Sequence, residues 1–416
     1  MIFLKRPFVF LSGILLYIFP KLGVFLLTRK KSAAYVKRFL RANAHVFTRH
    51  LRARKVKKYN KTLILIRTDA IGDYVLFHNF IEVIRNSDRF KDYKIVFFGN
   101  IIWKDLAVMN NSEFVDEFVW YNRSELFTEF REIELIKYAY KLSKYSAEIL
   151  VNAVISRENV FEQMIGLTIA KIKLAPENDY INNTQPEMSK FYNQLIKVPN
   201  YCTFEFFRNQ TFINELTSHK QEITKPYLNF IHKKSISLPA EYALLFPGAG
   251  VAYRRWSALN YARVAAFIKD NYDLDVVFAG GSGEIEISKI IHEHLKTDFI
   301  DLIGKTSLLE LVEVIQGAKI LVSNETSAVH IGVATNRRII CLSNGNHFGR
   351  FNPYPSIIWE DVHYIYPKFL RDEIALFPNR VCEKFKYFSD LDINKIPVED
   401  VTYKIKELLD LPLLNI

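Results

Sequence analysis

A chain of 416 residues is long enough for two domains of ordinary size plus an extension, and 49% apolar with 24% charged residues excludes a disordered or fibrous class. The net charge of +11 is concentrated at one end. Residues 1–61 hold 16 Lys and Arg and no Asp or Glu, so the other 40 basic residues face 45 acidic ones and the body is net −5, which excludes a basic nucleic-acid groove in it.

Pro7 to Leu27 is rich in Phe, Leu and Ile and long enough to cross a bilayer, but Pro20-Lys21 interrupts it. No small-residue cleavage site follows, which argues against a secretory signal. Three geometries remain open: a spanning helix, a broken re-entrant hairpin, or an in-plane anchor. Arg29 to Lys61 is strongly basic, with Tyr35, Phe39, Val46, Phe47 and Leu51 between the cations, a pattern suited to anionic head groups. The bland alternative is a solvated basic helix packed on the body. Residues 1–61 are therefore expected to associate with a membrane and to keep the body at its cytoplasmic face, peripheral or monotopic. Cys202, Cys341 and Cys382 match no metal or disulfide spacing, so a reduced, cytosolic setting without pairing is expected.

Thr62 to Arg67, Lys94 to Gly99 and Glu148 to Asn152 are short apolar runs of buried-strand type. Helical stretches separate them, the first predicted over Tyr74 to Ile84. Lys233 to Ser237 with Pro239 reads as a linker. A second series follows: strands at Tyr242 to Phe246, Asp275 to Ala279, Ile320 to Ser323 and Arg338 to Ser343, alternating with helices over Trp256 to Lys269, Glu284 to Leu295, Ser307 to Gln316 and Ala328 to Ala334. Val398 to Leu411 reads as a terminal amphipathic helix. Alternation of this kind predicts α/β architecture with two Rossmann-like domains, residues 62–236 and 237–416, facing a cleft lined by loops at the carboxyl ends of strands. The terminal helix is expected at the domain junction.

Four such loops carry candidate chemistry. In Asp69-Ala70-Ile71-Gly72-Asp73, glycine permits a tight turn, and a carboxylate opening the next helix can act as a general base or simply cap the helix. In Pro247-Gly248-Ala249-Gly250, small residues admit a phosphate, and Arg254 can neutralise it. In Gly280-Gly281-Ser282-Gly283-Glu284, an acidic residue after a glycine-rich turn suits a ribose hydroxyl, and the spacing is not that of a dinucleotide fingerprint. In Asn324 to His330, a strand ends at hydroxyl residues and opens a helix, whose unpaired N–H groups and dipole favour a phosphate. Thr326 and Ser327 can add hydroxyls, and His330, one turn on, can face the same anion. An ordinary capped helix with a buried histidine is the alternative. Arg157, past the third strand, can meet an anionic acceptor or be a solvated surface arginine.

Taken together, LILIRTDAIGDYVL, FPGAGVAYRRW, VVFAGGSGEIEI, DLIGKTSLLELVEVI and ILVSNETSAVHIGVA resemble, in order, the motifs of glycosyltransferase family 9, the ADP-heptose:lipopolysaccharide heptosyltransferases. The resemblance covers roughly residues 62–411. It implies a GT-B fold with acceptor bound by the first domain and nucleotide-sugar by the second. It also implies inverting, metal-independent transfer of a sugar such as heptose to a lipopolysaccharide-type or other lipid-linked glycan, with no cofactor beyond the nucleotide-sugar co-substrate. By position, Asp73 matches the family's base, Arg254 the phosphate-holding cation, Glu284 the ribose contact, and Thr326, Ser327 and His330 the diphosphate loop. Glu325 and Ser327 depart from the family's usual Asp-Thr-Gly, which leaves the donor sugar open. Asp69 is a second carboxylate that can share or replace the role of Asp73. A GT-B sugar-nucleotide epimerase and a catalytically inactive membrane scaffold are the competing readings; the basic N-terminal segment disfavours the first.

Overall fold

The computed structural model describes residues 58–128, 131–177, 189–229 and 235–410. The expected membrane-associating stretch lies outside them, apart from its last four residues. Asn60 and Lys61 already belong to the first strand, so the body begins slightly earlier than residue 62. Among the described residues no helix is long and apolar enough to cross a membrane.

In chain order the first domain comprises β1 (Asn60–Arg67), α1 (Ile71–Val75), α2 (Phe80–Asn86), β2 (Lys94–Asn100), α3 (Lys104–Asn111), β3 (Glu117–Tyr121), α4 (Arg131–Ser143), β4 (Ala147–Asn152), α5 (Asn159–Leu167), β5 (Ala170–Pro176), β6 (Gln194–Ile196) and α6 (Glu205–Thr217). The second comprises β7 (Tyr242–Phe246), α7 (Ala258–Asn271), β8 (Asp275–Gly280), α8 (Ile285–His294), β9 (Ile300–Ile303), α9 (Leu308–Gly317), β10 (Ile320–Asn324), α10 (Ser327–Ala334), β11 (Ile339–Leu342), β12 (Val362–Ile365), α11 (Lys368–Leu376), α12 (Pro378–Phe385) and α13 (Val398–Leu409).

The described residues form two separate six-stranded sheets, ordered β3-β2-β1-β4-β5-β6 and β12-β11-β10-β7-β8-β9, with every pairing among them parallel. Each reverses its order once, at β1/β4 and at β7/β10, the doubly wound arrangement. The central strands are continuous apolar runs because helices cover both faces; Leu63 to Ile66 and Ala243 to Leu245 are fully buried. The short strands β9, IDLI, and β12, VHYI, lie at or beside sheet edges and carry no comparable run. Ser307 caps α9 in a reciprocal pair with Glu310, whose carboxylate accepts from the Ser307 N–H at 2.7 Å.

Three expectations are corrected. The single helix over Tyr74 to Ile84 is instead α1 and α2 with a tight turn between them. Side-chain amides from distant elements take the carbonyls freed at the break: Asn209 Nδ2 donates to Leu76 O at 3.1 Å, and Asn111 Nδ2 to His78 O at 3.1 Å. The terminal helix α13 buries Val401, Ile405 and Leu408 in the second domain's own core and packs on α7, not across the junction. Its Leu408 carbonyl accepts from Arg338, which is paired with Asp361.

The third correction concerns cysteine. Cys202 and Cys382, 180 residues apart, form a disulfide with Cα atoms 5.9 Å apart, joining the segment before α6 to α12 and so one domain to the other; Cys341 is free and buried. Closing so long a loop restrains the unfolded chain, typically by about 2–4 kcal/mol. Dithiothreitol is therefore expected to lower Tm by a few degrees. Thiol titration of the unfolded, unreduced chain should count one thiol; a count of three would show that the reduced setting expected from spacing prevails.

Candidate active site

The helix beyond β1 packs on the helix beyond β10, and Ser156, beyond β4, meets Arg350 of the segment beyond β11, so the carboxyl ends of the two sheets face each other. Sheet geometry alone puts ligands there.

On the first domain, Arg67 ends β1 fully buried. Its Nε donates to Asp69 Oδ1 at 3.0 Å, and its Nη2 lies 2.9 Å from Asp69 Oδ2, a bidentate pair. Arg67 also donates to the Asp73 carbonyl at 3.2 Å and to Asn209 Oδ1 at 3.3 Å. Asp69 is thus committed to Arg67, and its carbonyl accepts from Trp103 Nε1 at 3.1 Å. Burial outweighs the attraction of Arg67 and pushes the Asp69 carboxyl up to about 8. Asp73 stands in the first turn of α1, partly exposed. Burial raises its pKa too, while Arg67 and Arg350 pull it down.

Beside Asp73, Gly72 is required for close approach. A Cβ there would lie 2.6 Å from His330 Cδ2 and 3.6 Å from Ser327 Cα. The helix bearing the candidate base therefore abuts the amino terminus of α10 from the other domain. The His330 ring packs on Gly72 at this contact. Its Nδ1 lies 2.6 Å from Tyr354 Oη, and burial lowers its pKa to about 4, so it is a neutral imidazole near pH 7.

On the second domain, Asn324, fully buried at the end of β10, joins two loops. It donates to Pro247 O at 2.7 Å and Gly248 O at 3.2 Å and accepts from the Trp256 N–H at 3.1 Å. Thr326 is the N-cap of α10, accepting from the Ala328 N–H at 3.2 Å, and Thr326 and Ser327 are half-buried. Glu284 reaches back over Gly248, where an added Cβ would be 2.8 Å from its Cδ; its Oε1 lies 4.0 Å from Arg255 Nη2. Arg254 Nη1 is 3.7 Å from Glu325 Oε1, and the other Glu325 oxygen accepts from Ser343 Oγ at 3.0 Å. Burial pushes Glu325 up to about 7, Arg254 opposing. Gly248, Arg254, Glu284, Thr326 and Ser327 thus line one rim.

Arg157 is not a solvated surface arginine. It is buried, 4.0 Å from Glu162 and 4.8 Å over the Tyr192 ring, within the first domain. Sequence reasoning missed Arg67, Asn324, Glu205, Arg350 and Tyr354. Arg67 closes a recognisable strand; the others carry no local signal.

Residues 196–358 match the model of glycosyltransferase family 9 (heptosyltransferase). Lipooligosaccharide heptosyltransferase 2 of Haemophilus influenzae is 30% identical over 92 residues, which span 21% of this chain and 27% of that protein. A glycosyltransferase family 9 structure from Veillonella parvula superposes with a TM-score of 0.65 at 15% identity, covering 84% of this chain and 97% of that one. ADP-heptose lps heptosyltransferase II of E. coli gives 0.63 at 15%, covering 84% and 98%, and an E. coli heptosyltransferase solved with ADP gives 0.60 at 14%, covering 83% and 99%. At these identities the structures speak for the fold, two facing α/β domains of the GT-B kind. The chain thus has the fold of these proteins across both domains, and over residues 196–358 it is similar to the heptosyltransferases of glycosyltransferase family 9.

Proposed function

We propose that the protein binds a nucleoside-diphosphate sugar, ADP-heptose or a close relative, on its second domain, and transfers the sugar with inversion and without a metal to a lipid-linked glycan held by the first. The observation that carries this reading is the contact of α1 with α10, which sets Asp73 beside the helix terminus suited to a diphosphate. Asp73 takes the proton of the acceptor hydroxyl, whose oxygen attacks the anomeric carbon from the face opposite the leaving group. The bond from that carbon to the diphosphate oxygen breaks, and one displacement inverts the centre. Negative charge grows on the leaving oxygen. The first-turn N–H groups of α10, the Thr326 and Ser327 hydroxyls and Arg254 are the preorganised donors for it. Glu284 takes the ribose.

Incubation with radiolabelled ADP-heptose and isolated lipooligosaccharide core acceptor should move label into the acceptor fraction and release ADP. Label that stays with nucleotide for every nucleotide sugar offered would overturn the reading. Release of an isomerised sugar without acceptor would favour the epimerase reading.

The reading also seats the protein on the cytoplasmic face of an anionic membrane through residues 1–61, where each cation near the surface contributes about 1 kcal/mol. A chain beginning at Lys58 keeps β1 whole and is expected to retain nucleotide affinity. It should lose co-sedimentation with phosphatidylserine liposomes, which the full chain shows at low salt. Equal recovery of both chains in the supernatant rejects the anchor.

A further inference from the structure

The donor site has a direction across the second sheet, whose strands run β12-β11-β10-β7-β8-β9. Glu284, the ribose contact, follows β8, and Gly248 follows β7. Arg254 reaches Glu325, just beyond β10, at 3.7 Å. A nucleoside-diphosphate sugar laid from ribose to diphosphate therefore has its sugar end toward β11. Two aromatic side chains stand on that side. Tyr253, next to Arg254, is 41% exposed, and Phe388 is 53% exposed. Their ring centroids lie 5.0 Å apart with the planes at 67°. Single exposed apolar side chains are ordinary on a surface. Here two large rings meet, and both stay open to solvent.

The segment beyond β11 anchors both of them through two buried asparagines. Asn344 Nδ2 donates to Tyr253 O at 3.2 Å and to Leu391 O at 3.0 Å, and the Asn344 carbonyl accepts from Ser389 Oγ at 2.5 Å. Asn346 Oδ1 accepts from the Ser389 N–H at 3.2 Å and lies 3.5 Å from Tyr253 Oη. The Tyr253 backbone and the residue after Phe388 are thus fixed, so the rings hold their places without a ligand. The same segment crosses to the first domain, where Arg350 donates to Ser156 Oγ at 2.7 Å and to Glu205 Oε2 at 2.8 Å. Tyr387, the neighbour of Phe388, is hydrogen-bonded to Tyr201 of the first domain. The ring pair therefore lies where the acceptor-binding domain meets the sugar end of the donor site.

We propose that Tyr253 and Phe388 form a stacking platform for a pyranose ring of the acceptor glycan. The proposal rests on the transferase reading above.

A pyranose turns several C–H bonds to one face and carries its hydroxyls around the rim. The electron-rich face of an aromatic ring attracts those slightly positive hydrogens, and the hydroxyls keep their water. Such contacts add apolar area to a site whose polar groups set orientation. A nucleobase also has a flat face, but it belongs past Glu284 at the β8 end. The donor's own sugar is joined to the diphosphate beside the Arg254–Glu325 pair, in which Glu325 is buried. Tyr253 and Phe388 stand outside that pair at an exposed rim, next to first-domain contacts, which assigns them to the acceptor.

The test is label transfer from ADP-heptose to lipooligosaccharide core, in the full chain, with each substrate varied. Tyr253→Ala and Phe388→Ala should each raise KM for the acceptor roughly 5–20-fold, the loss of one ring face of apolar contact, with kcat at saturating acceptor little changed. KM for ADP-heptose and Kd for ADP should keep their wild-type values. Tyr253→Phe retains the ring face and should match the wild type. A rise in the ADP-heptose KM in place of the acceptor KM overturns the assignment, because the donor's own sugar would then be the occupant. The delipidated core oligosaccharide should show the same rises; a defect confined to lipid-bearing acceptor would put acyl chains at the rings and overturns the proposal too. Thermal melts separate misfolding from lost contact. If Tyr253→Ala disturbs Arg254 and weakens ADP binding, Phe388→Ala, on another segment, decides, and an unchanged acceptor KM there overturns the proposal. Calorimetric titration with the delipidated core needs no turnover. Weaker binding in Phe388→Ala beside an inactive wild type upholds the platform and defeats the transferase reading beneath it. An active wild type with the same acceptor KM as both variants defeats this proposal alone.

Discussion

Asp73→Asn is expected to lower kcat by roughly 10²–10⁴-fold while ADP affinity is retained, since an amide of nearly the same shape cannot accept the proton of the acceptor hydroxyl. Asp73 is suited to the role because its carboxylate, at the edge of the interdomain contact, is partly exposed and is not committed to a bidentate partner as Asp69 is. The pH dependence has a definite sign. Asp73 works ionised, burial raises its pKa, and activity therefore falls as pH drops through a limb above the ordinary carboxylate range. Asp69→Asn carries a different signature. It weakens the two-point contact to a fully buried arginine, so its main effect should be a lowered Tm. Measuring kcat, Tm and ADP affinity on both variants separates the roles. Full activity in Asp73→Asn, with loss in a well-folded Asp69→Asn, would transfer the base to Asp69.

Arg254→Ala is expected to raise the Kd for ADP by roughly 10–150-fold, the equivalent of one charge-assisted hydrogen bond of about 1.5–3 kcal/mol. The fold should survive. Arg254 is partly exposed, and its buried partner Glu325 already has a pKa of about 7, held down by Arg254. Removing the cation lets Glu325 take up a proton near neutral pH, so no ionised carboxylate is stranded in the interior. Ser343 can still donate to it. Calorimetric titration with ADP at pH 7 checks the effect, and unchanged affinity would remove Arg254 from the donor site. Because the leaving diphosphate gains charge in the transition state, kcat should fall as well, which a purely ground-state contact would not cause.

Much of this site is local in origin and therefore legible in the chain. Leu63 to Ile66 and Tyr242 to Phe246 are apolar runs of strand length, and the residues that follow each of them are turn formers with phosphate or proton chemistry. A strand followed by such a turn and a helix places that turn at a carboxyl-terminal sheet edge, whatever the rest of the chain does. For this reason Asp73, Gly248, Arg254, Glu284, Thr326 and Ser327 could be nominated before any coordinates, and the order of their motifs pointed to a family.

What local pattern cannot express is pairing across sequence distance, and there tertiary structure decided. Helical spacing puts His330 one turn from Ser327, but only the docking of α10 on α1 turns its ring onto Gly72 and leaves it neutral. The break between α1 and α2 depends on amides from Asn111 and Asn209, more than thirty residues away. Cys202 and Cys382 are 180 residues apart, and Arg350 lies 145 from Glu205 and 194 from Ser156. Composition and periodicity determined two α/β domains and the loops that bear chemistry, because backbone propensity and burial act over a few residues. The facing of those loops, the commitment of Asp69 to Arg67 and the passage of Arg350 across the boundary arose only when two sheets were brought together, since buried charge must be matched by whichever partner the packed chain delivers.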